Sequence, residues 1–153
     1  MTRAQPAPAA AMPAPDESME VRFRSGESYE VKVRGHGFAV DQPADAGGED
    51  GAPTPTELFV ASLATCVAFY AGRYLTRHGH SRDGLGVSVA YRMASDRPAR
   101  VSDIVLTVRV PEGLPEARWP ALQAVATHCT VHNSIVMPPA VRIELAGRVP
   151  GVV

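Results

Sequence analysis

Apolar and charged side chains alternate along Met19-Glu20-Val21-Arg22-Phe23-Arg24, and the alternation returns in Tyr29-Glu30-Val31-Lys32-Val33-Arg34. A period of two belongs to a strand with one buried face. The intervening Ser25-Gly26-Glu27-Ser28 supplies turn chemistry, so a β-hairpin is predicted, continued by a short strand over residues 36–40. Residues 41–53 are rich in Gly, Pro and acids and read as a loop, and a loop of that length inside one domain marks a candidate functional segment.

The pattern then becomes helical. Thr54-Pro55-Thr56-Glu57 places Thr at the N-cap, Pro at the first helical position and Glu at the third, which is a capping box. The helix is expected to run to about Arg77 and to stop near Gly79. At about 100° per residue, Phe59, Ser62, Leu63, Phe69, Tyr70 and Arg73 fall on the side of Cys66, while Ala61, Ala64, Ala68, Ala71 and Gly72 gather on the other. The bare stripe admits close approach by another helix, and an apolar helix of this kind requires cover on most sides from further sheet or a second chain.

Alternation resumes over 85–93 and 101–110 on either side of the turn Ser95-Asp96-Arg97-Pro98-Ala99, predicting a second, longer hairpin. Trp119, Leu122, Val125 and Ala126 then mark a second helix, with Pro115 and Pro120 confining its regular part to the later turns. A final strand is predicted over 140–146. The order ββ-α-ββ-α-β is that of an α+β domain, with no internal repeat and no dinucleotide-binding pattern.

Composition bounds the function. The chain has 153 residues, with 15 basic and 16 acidic side chains, enough for one domain and without the basic excess that nucleic acid or an anionic membrane surface demands. Residues 1–18, rich in Ala and Pro, read as a disordered tail without the continuous apolar segment of a signal peptide, 19–147 as a single domain, and 148–153 as a loose end. The longest apolar run is interrupted by Ser62, Thr65 and Arg73, so no membrane span is expected and a cytoplasmic protein is.

In that compartment lasting disulfides are rare, which gives the two cysteines their interest. Cys66 sits in the apolar Ala64-Thr65-Cys66-Val67-Ala68 and Cys129 in the polar Thr127-His128-Cys129-Thr130. Two inert core thiols are one reading, because Cys is often a small buried hydrophobe. A redox couple is the other, one thiol reacting and the other resolving. A metal site is a third: His128 and His132 are four apart and would share a helical face, yet Cys129 would point about 100° away from His128. No cluster completes a ligand set, so neither metal nor cofactor is expected. His36, His78 and His80 read as solvated, the last two flanking the helix-ending Gly79.

The Gly47-Gly48 loop, Pro53-Thr54-Pro55-Thr56-Glu57-Leu58, the Cys in the helix that follows, and Cys129-Thr130-Val131-His132 occur together in this order. The combination resembles the OsmC/Ohr family, named for osmotically inducible protein C and organic hydroperoxide resistance, over roughly residues 19–147. The resemblance implies an intertwined α+β homodimer in which sheets of both chains wrap the central helices, with active sites at the subunit interface. It also implies that Cys66 attacks a hydroperoxide, that Cys129 resolves the sulfenic acid as a disulfide, and that dithiols or protein-bound lipoyl groups reduce the enzyme.

The chain departs from the peroxidase branch at the activating residues. Those members carry Glu ten residues before the first Cys, together with an Arg; here Thr56 holds the tenth place and Glu57 the ninth. In a straight helix Glu57 lies about 13.5 Å along the axis from its own Cys66 and half a turn round, so only a dimer partner would bring it to a thiol. Arg24 and Arg34 are the candidates for the missing Arg, and Arg73, two turns after Cys66, is a further source of charge. The pattern is closer to the OsmC-like branch than to the dedicated organic-peroxide enzymes. A non-enzymatic dimer that binds a small apolar ligand at its interface, its thiols idle, is the alternative.

Overall fold

The first hairpin forms where the alternation puts it. In the computed structural model, which describes residues 18–145, β1 (Met19–Ser25) and β2 (Ser28–Val33) pair antiparallel with Val21 opposite Val31 and Phe23 opposite Tyr29. The Phe23 and Tyr29 rings meet edge to face at 5.9 Å, a cross-strand contact that helps hold the register. β3 (His36–Val40) pairs with β2 through a tight turn at Arg34-Gly35, where Arg34 has a φ of 54°. Of the tail expected over 1–18 only Ser18 is described, and the end expected over 148–153 lies outside the described residues.

The loop over 41–53 owes its shape to one buried carboxylate. Asp41 accepts hydrogen bonds from the backbone N–H groups of Gln42, Glu49 and Gly51 at 2.8, 3.2 and 3.0 Å. Those bonds, from Gly51 first and then Gln42, hold its pKa below the ordinary carboxylate value against the opposing effect of burial. Gly48 is required where it stands, because a Cβ there would collide with the Gln42 carbonyl. The long loop is therefore an internally braced segment.

The chain divides into two compact units, residues 1–58 and 59–153. The first holds the three-stranded sheet, the braced loop and the start of α1 (Pro55–Arg77); the second holds the rest of α1 and everything beyond it. In the second unit β4 (Gly86–Met93) and β5 (Val101–Arg109) form the longer antiparallel hairpin, with Val87 opposite Val108 and Val89 opposite Leu106. α2 (Trp119–Ala126) and α3 (Thr130–Val136) follow. This is an α+β fold of three helices and two small antiparallel sheets.

The core of the second unit is built on one face of α1. Val60, Leu63, Val67, Ala71, Tyr74 and Leu75 recur at helical spacing and are buried. Ala71, Tyr74 and Leu75 pack with Leu114 and Leu122; Leu63 and Val67 pack with Ala126 and Cys129, beneath Val87, Ile104, Leu106 and Val108 of the hairpin. Within the single chain Phe59 and Phe69 of α1 remain exposed, so the further sheet that the sequence led one to expect covers α1 only in part. At Gly72 the bare stripe meets the side chain of Arg82 rather than another helix, and Arg82 Nε donates to Thr76 Oγ1 at 2.7 Å.

The expected absence of a membrane span is not overturned, and two other expectations change. α1 is long and apolar enough to cross a membrane by length and composition, a test that core helices of folded domains also pass. Its hydroxyls do not interrupt it, because Ser62 donates to the Phe59 carbonyl at 2.7 Å and Thr65 to that of Ala61 at 2.8 Å. Residues 140–145 form no strand, and residue 146 lies outside the described residues. The alternation of Val141, Ile143 and Leu145 is real, but a strand needs a neighbour for its backbone groups, and these side chains are 78%, 88% and 99% exposed. Finally, α3 is an element the periodicity did not predict.

Candidate functional site

Cys66 lies on α1 between the buried Leu63 and the half-buried Tyr70, partly open to solvent. Cys129 is reached by a break in the backbone. α2 ends as the N–H of Thr127 bonds back to the Gln123 carbonyl, and Cys129 then takes an extended conformation, φ −69° and ψ 152°, before α3 begins. That is N-cap geometry, and the sulfur performs the N-cap function: Cys129 Sγ accepts the His132 N–H at 3.4 Å. His128 therefore stands before the cap and His132 in the first turn of α3, so the two do not share the helical face that a spacing of four predicts.

Two contacts lay the first turn of α3 along α1. The Val131 N–H donates to Cys66 Sγ at 3.5 Å, and the hydroxyls of Tyr70 and Thr130 share a hydrogen bond of 2.8 Å. Cys66 and Tyr70, one turn apart on α1, thus face consecutive residues of α3. The result is that the two cysteines share one packed cluster, Cys66 lying against the group formed by Leu63, Val67, Ala126 and Cys129. Both are reduced.

Their environments differ. Cys129 is fully buried, and burial is the main reason its thiol is pushed above the ordinary value; the adjoining Cys66 raises it further, while the N–H groups of His132 and Val131 oppose the rise. Cys66 is thus the more exposed of the two cysteines and Cys129 the buried one that resists ionisation.

The remaining expected residues are placed as follows. Glu57 closes the capping box, its Oε2 accepting the Thr54 N–H at 2.8 Å while its own N–H donates to Thr54 Oγ1 at 3.2 Å. Arg24 is exposed at an irregularity in the β1–β2 register, and Arg34 is exposed in the β2–β3 turn; neither has an ion-pair partner among the described residues. Glu57, Arg24 and Arg34 belong to the first unit. Arg73 lies over the Phe69 ring, 5.5 Å from its centroid. His128 Nδ1 is engaged with the Ala124 carbonyl at 2.7 Å, and among the described residues no three His, Cys, Asp or Glu side chains gather as a metal site. Sequence reasoning missed Thr130 and the cap itself, since Cys is outside the usual N-cap set of Ser, Thr, Asp and Asn.

The fold has known counterparts. A protein from Psychrobacter arcticus 273-4, described as an osmotic stress induced and detoxification response protein, superposes with a TM-score of 0.72 at 22% identity, over 84% of this chain and 91% of that one. The organic hydroperoxide resistance protein OsmC of Legionella pneumophila gives 0.58 at 20% identity, over 77% and 88%. An OsmC-like protein of unknown function from Vibrio cholerae gives 0.61 at 11% identity, over 76% and 91%. At these identities the likeness is one of fold. No curated protein matches the sequence. The family profile described as OsmC-like protein matches residues 47–144, well over half of the chain and inclusive of both cysteines. With that match and the shared fold, the chain belongs to the OsmC-like protein family.

Proposed function

We propose that the protein is a thiol-dependent reductase of organic hydroperoxides that acts in oxidative-stress defence. The observation that carries this reading is a half-exposed Cys66 in one packed cluster with a fully buried Cys129. Membership of a stress-related redox family, and a fold shared with the Legionella hydroperoxide resistance protein, support it.

In the first step the Cys66 thiolate attacks the outer oxygen of ROOH. The O–O bond breaks, the alkoxide leaves and takes a proton as ROH, and Cys66 becomes a sulfenic acid. Cys129 then attacks the Cys66 sulfur, a disulfide forms and water is lost. A dithiol, of the lipoyl type, returns both cysteines to thiols and is itself oxidised to a disulfide.

The reading includes a cytoplasmic homodimer in which Arg24, Arg34 or Glu57 of one chain assists a thiol. Exposed large apolar side chains, among them Phe23, Phe69 and Val105, are surface that a second chain would cover. The rival reading, an interface binder of small apolar ligands with idle thiols, draws on the engagement of Glu57 in its cap and of Arg73 on Phe69. Steady-state reduction of cumene hydroperoxide with dihydrolipoamide as donor separates the two. The expected result is turnover that Cys66→Ser lowers by at least about 100-fold. A wild-type rate no higher than that of the variant overturns the proposal.

A further inference from the structure

Oxidation of the proposed couple would join the same two atoms that hold the first turn of α3. Cys66 Sγ accepts the Val131 N–H at 3.5 Å and Cys129 Sγ accepts the His132 N–H at 3.4 Å, so two consecutive amides rest on two sulfurs. A thiol sulfur turns about its own side chain to meet an amide, and a thiolate strengthens the bond by its charge. A sulfur bonded to a second sulfur has neither property, since its direction is fixed by the partner and it carries no charge. Disulfide formation therefore withdraws both acceptors in one event.

Little else holds this helix. α3 has seven residues, roughly half the 12–15 at which an isolated helix becomes marginally stable in water. It carries no acidic residue in its first turn and contains no buried residue. Val131 packs against the cluster of Leu63, Val67, Ala126 and Cys129, whereas residues 134–137 are exposed. Besides the sulfur bonds, the paired hydroxyls of Tyr70 and Thr130 tie the turn to α1.

We infer that α3 is a redox-released element, ordered while Cys66 and Cys129 are thiols and loosened when they are joined as a disulfide. The inference rests on the couple proposed above and adds what its oxidation does to the fold. In that step the cysteines lose two hydrogens and two electrons, and the hydroperoxide takes them up to leave as alcohol and water. The consequence is access. Cys129 is fully buried, with Val131 packed against its cluster, so a dithiol does not reach that sulfur while α3 is in place. Loosening of the turn opens that side of the disulfide to the reductant. Reduction then restores both acceptors, and the helix re-forms over the thiols.

The test is amide hydrogen exchange, followed by NMR, of the full chain when reduced and after oxidation. Two oxidants are used: cumene hydroperoxide, and diamide, which takes up the two hydrogens without supplying oxygen. Peptide mapping without reduction first verifies the Cys66–Cys129 disulfide. Protection of residues 131–137 should fall at least about fivefold, the equivalent of losing one N-cap, while β4, β5 and the buried positions of α1 keep theirs. Dithiothreitol should restore the reduced pattern. Cys129→Ser, which cannot close the disulfide, should exchange alike before and after diamide. A verified disulfide with unchanged exchange in α3 overturns the inference and leaves the peroxidase reading standing. Release of α3 by the diamide-formed disulfide, with no disulfide from the hydroperoxide, sustains the inference and overturns that reading. No disulfide with either oxidant overturns both, and protection lost equally throughout the second unit overturns the inference alone.

Discussion

At the start of α1, Thr54 Oγ1 accepts the Glu57 N–H and Glu57 returns a carboxylate to the Thr54 N–H, so two orphan donors are satisfied by oxygen. At the start of α3, Cys129 Sγ accepts the His132 N–H at 3.4 Å, and among the described residues no bond from the His132 ring comes back. The first cap is reciprocal and exposed; the second is one-sided, buried and made by a weak acceptor. The difference is between an atom committed to structure and one left able to react. A cap oxygen has no other chemistry to offer, whereas a cap sulfur beside a second sulfur can exchange its hydrogen bond for a covalent one.

On the proposed function, replacing the sulfur cap gives the largest effect. Cys129→Ser keeps an N-cap acceptor but buries a hydroxyl among Leu63, Val67 and Ala126. The variant should still fold cooperatively with a loss of about 1–3 kcal/mol, while steady-state peroxide turnover falls by at least about 100-fold. The first oxidation of Cys66 should persist, seen as a sulfenic acid trapped by dimedone. Thermal unfolding beside the rate assay separates cap from chemistry, and loss of the cooperative unfolding transition together with the rate would break the comparison.

Asp41 offers the extreme case of an atom committed to structure, with three N–H groups on one carboxylate. Its pKa is depressed in the folded state, so its contribution to stability is present above the unfolded value of about 3.9 and is lost as pH falls through the folded value. Asp41→Asn should therefore be less stable near neutrality and should lose less stability on acidification. Urea midpoints measured from pH 3 to 7 give both slopes.

Smaller effects sharpen the contrast. Thr54→Ala should cost about 1 kcal/mol and roughly 3 °C in Tm without altering thiol oxidation. Tyr70→Phe removes the hydroxyl contact that ties α1 to Thr130. With an exposed bond worth roughly 0.5–1 kcal/mol, disulfide closure should slow roughly two- to fivefold in stopped-flow measurements, with the first oxidation unchanged.

Legibility in the sequence followed the same division. The capping box at Thr54, both hairpins and the Leu122 helix were readable because each is specified within a few residues, and the motif order pointed to the family. α3 was not, because its cap is a residue outside the usual set and α2 ends without Gly or Pro. The strand predicted over 140–146 has the right period but no partner for its backbone within the described residues. The contact between Cys66 and the Val131 amide spans 65 residues and rests on tertiary packing, which no local pattern encodes. Resemblance to the family supplied that pairing; the geometry of the two sulfurs adds which is open and which is buried.

The claim that the two sulfurs form one redox couple is tested most directly by treating the reduced full chain with one equivalent of cumene hydroperoxide and mapping its peptides without reduction. The account predicts a single new species, an intrachain Cys66–Cys129 disulfide formed with loss of two hydrogens. A chain that keeps both thiols, or that accumulates Cys66 sulfinic acid with Cys129 untouched, would contradict it.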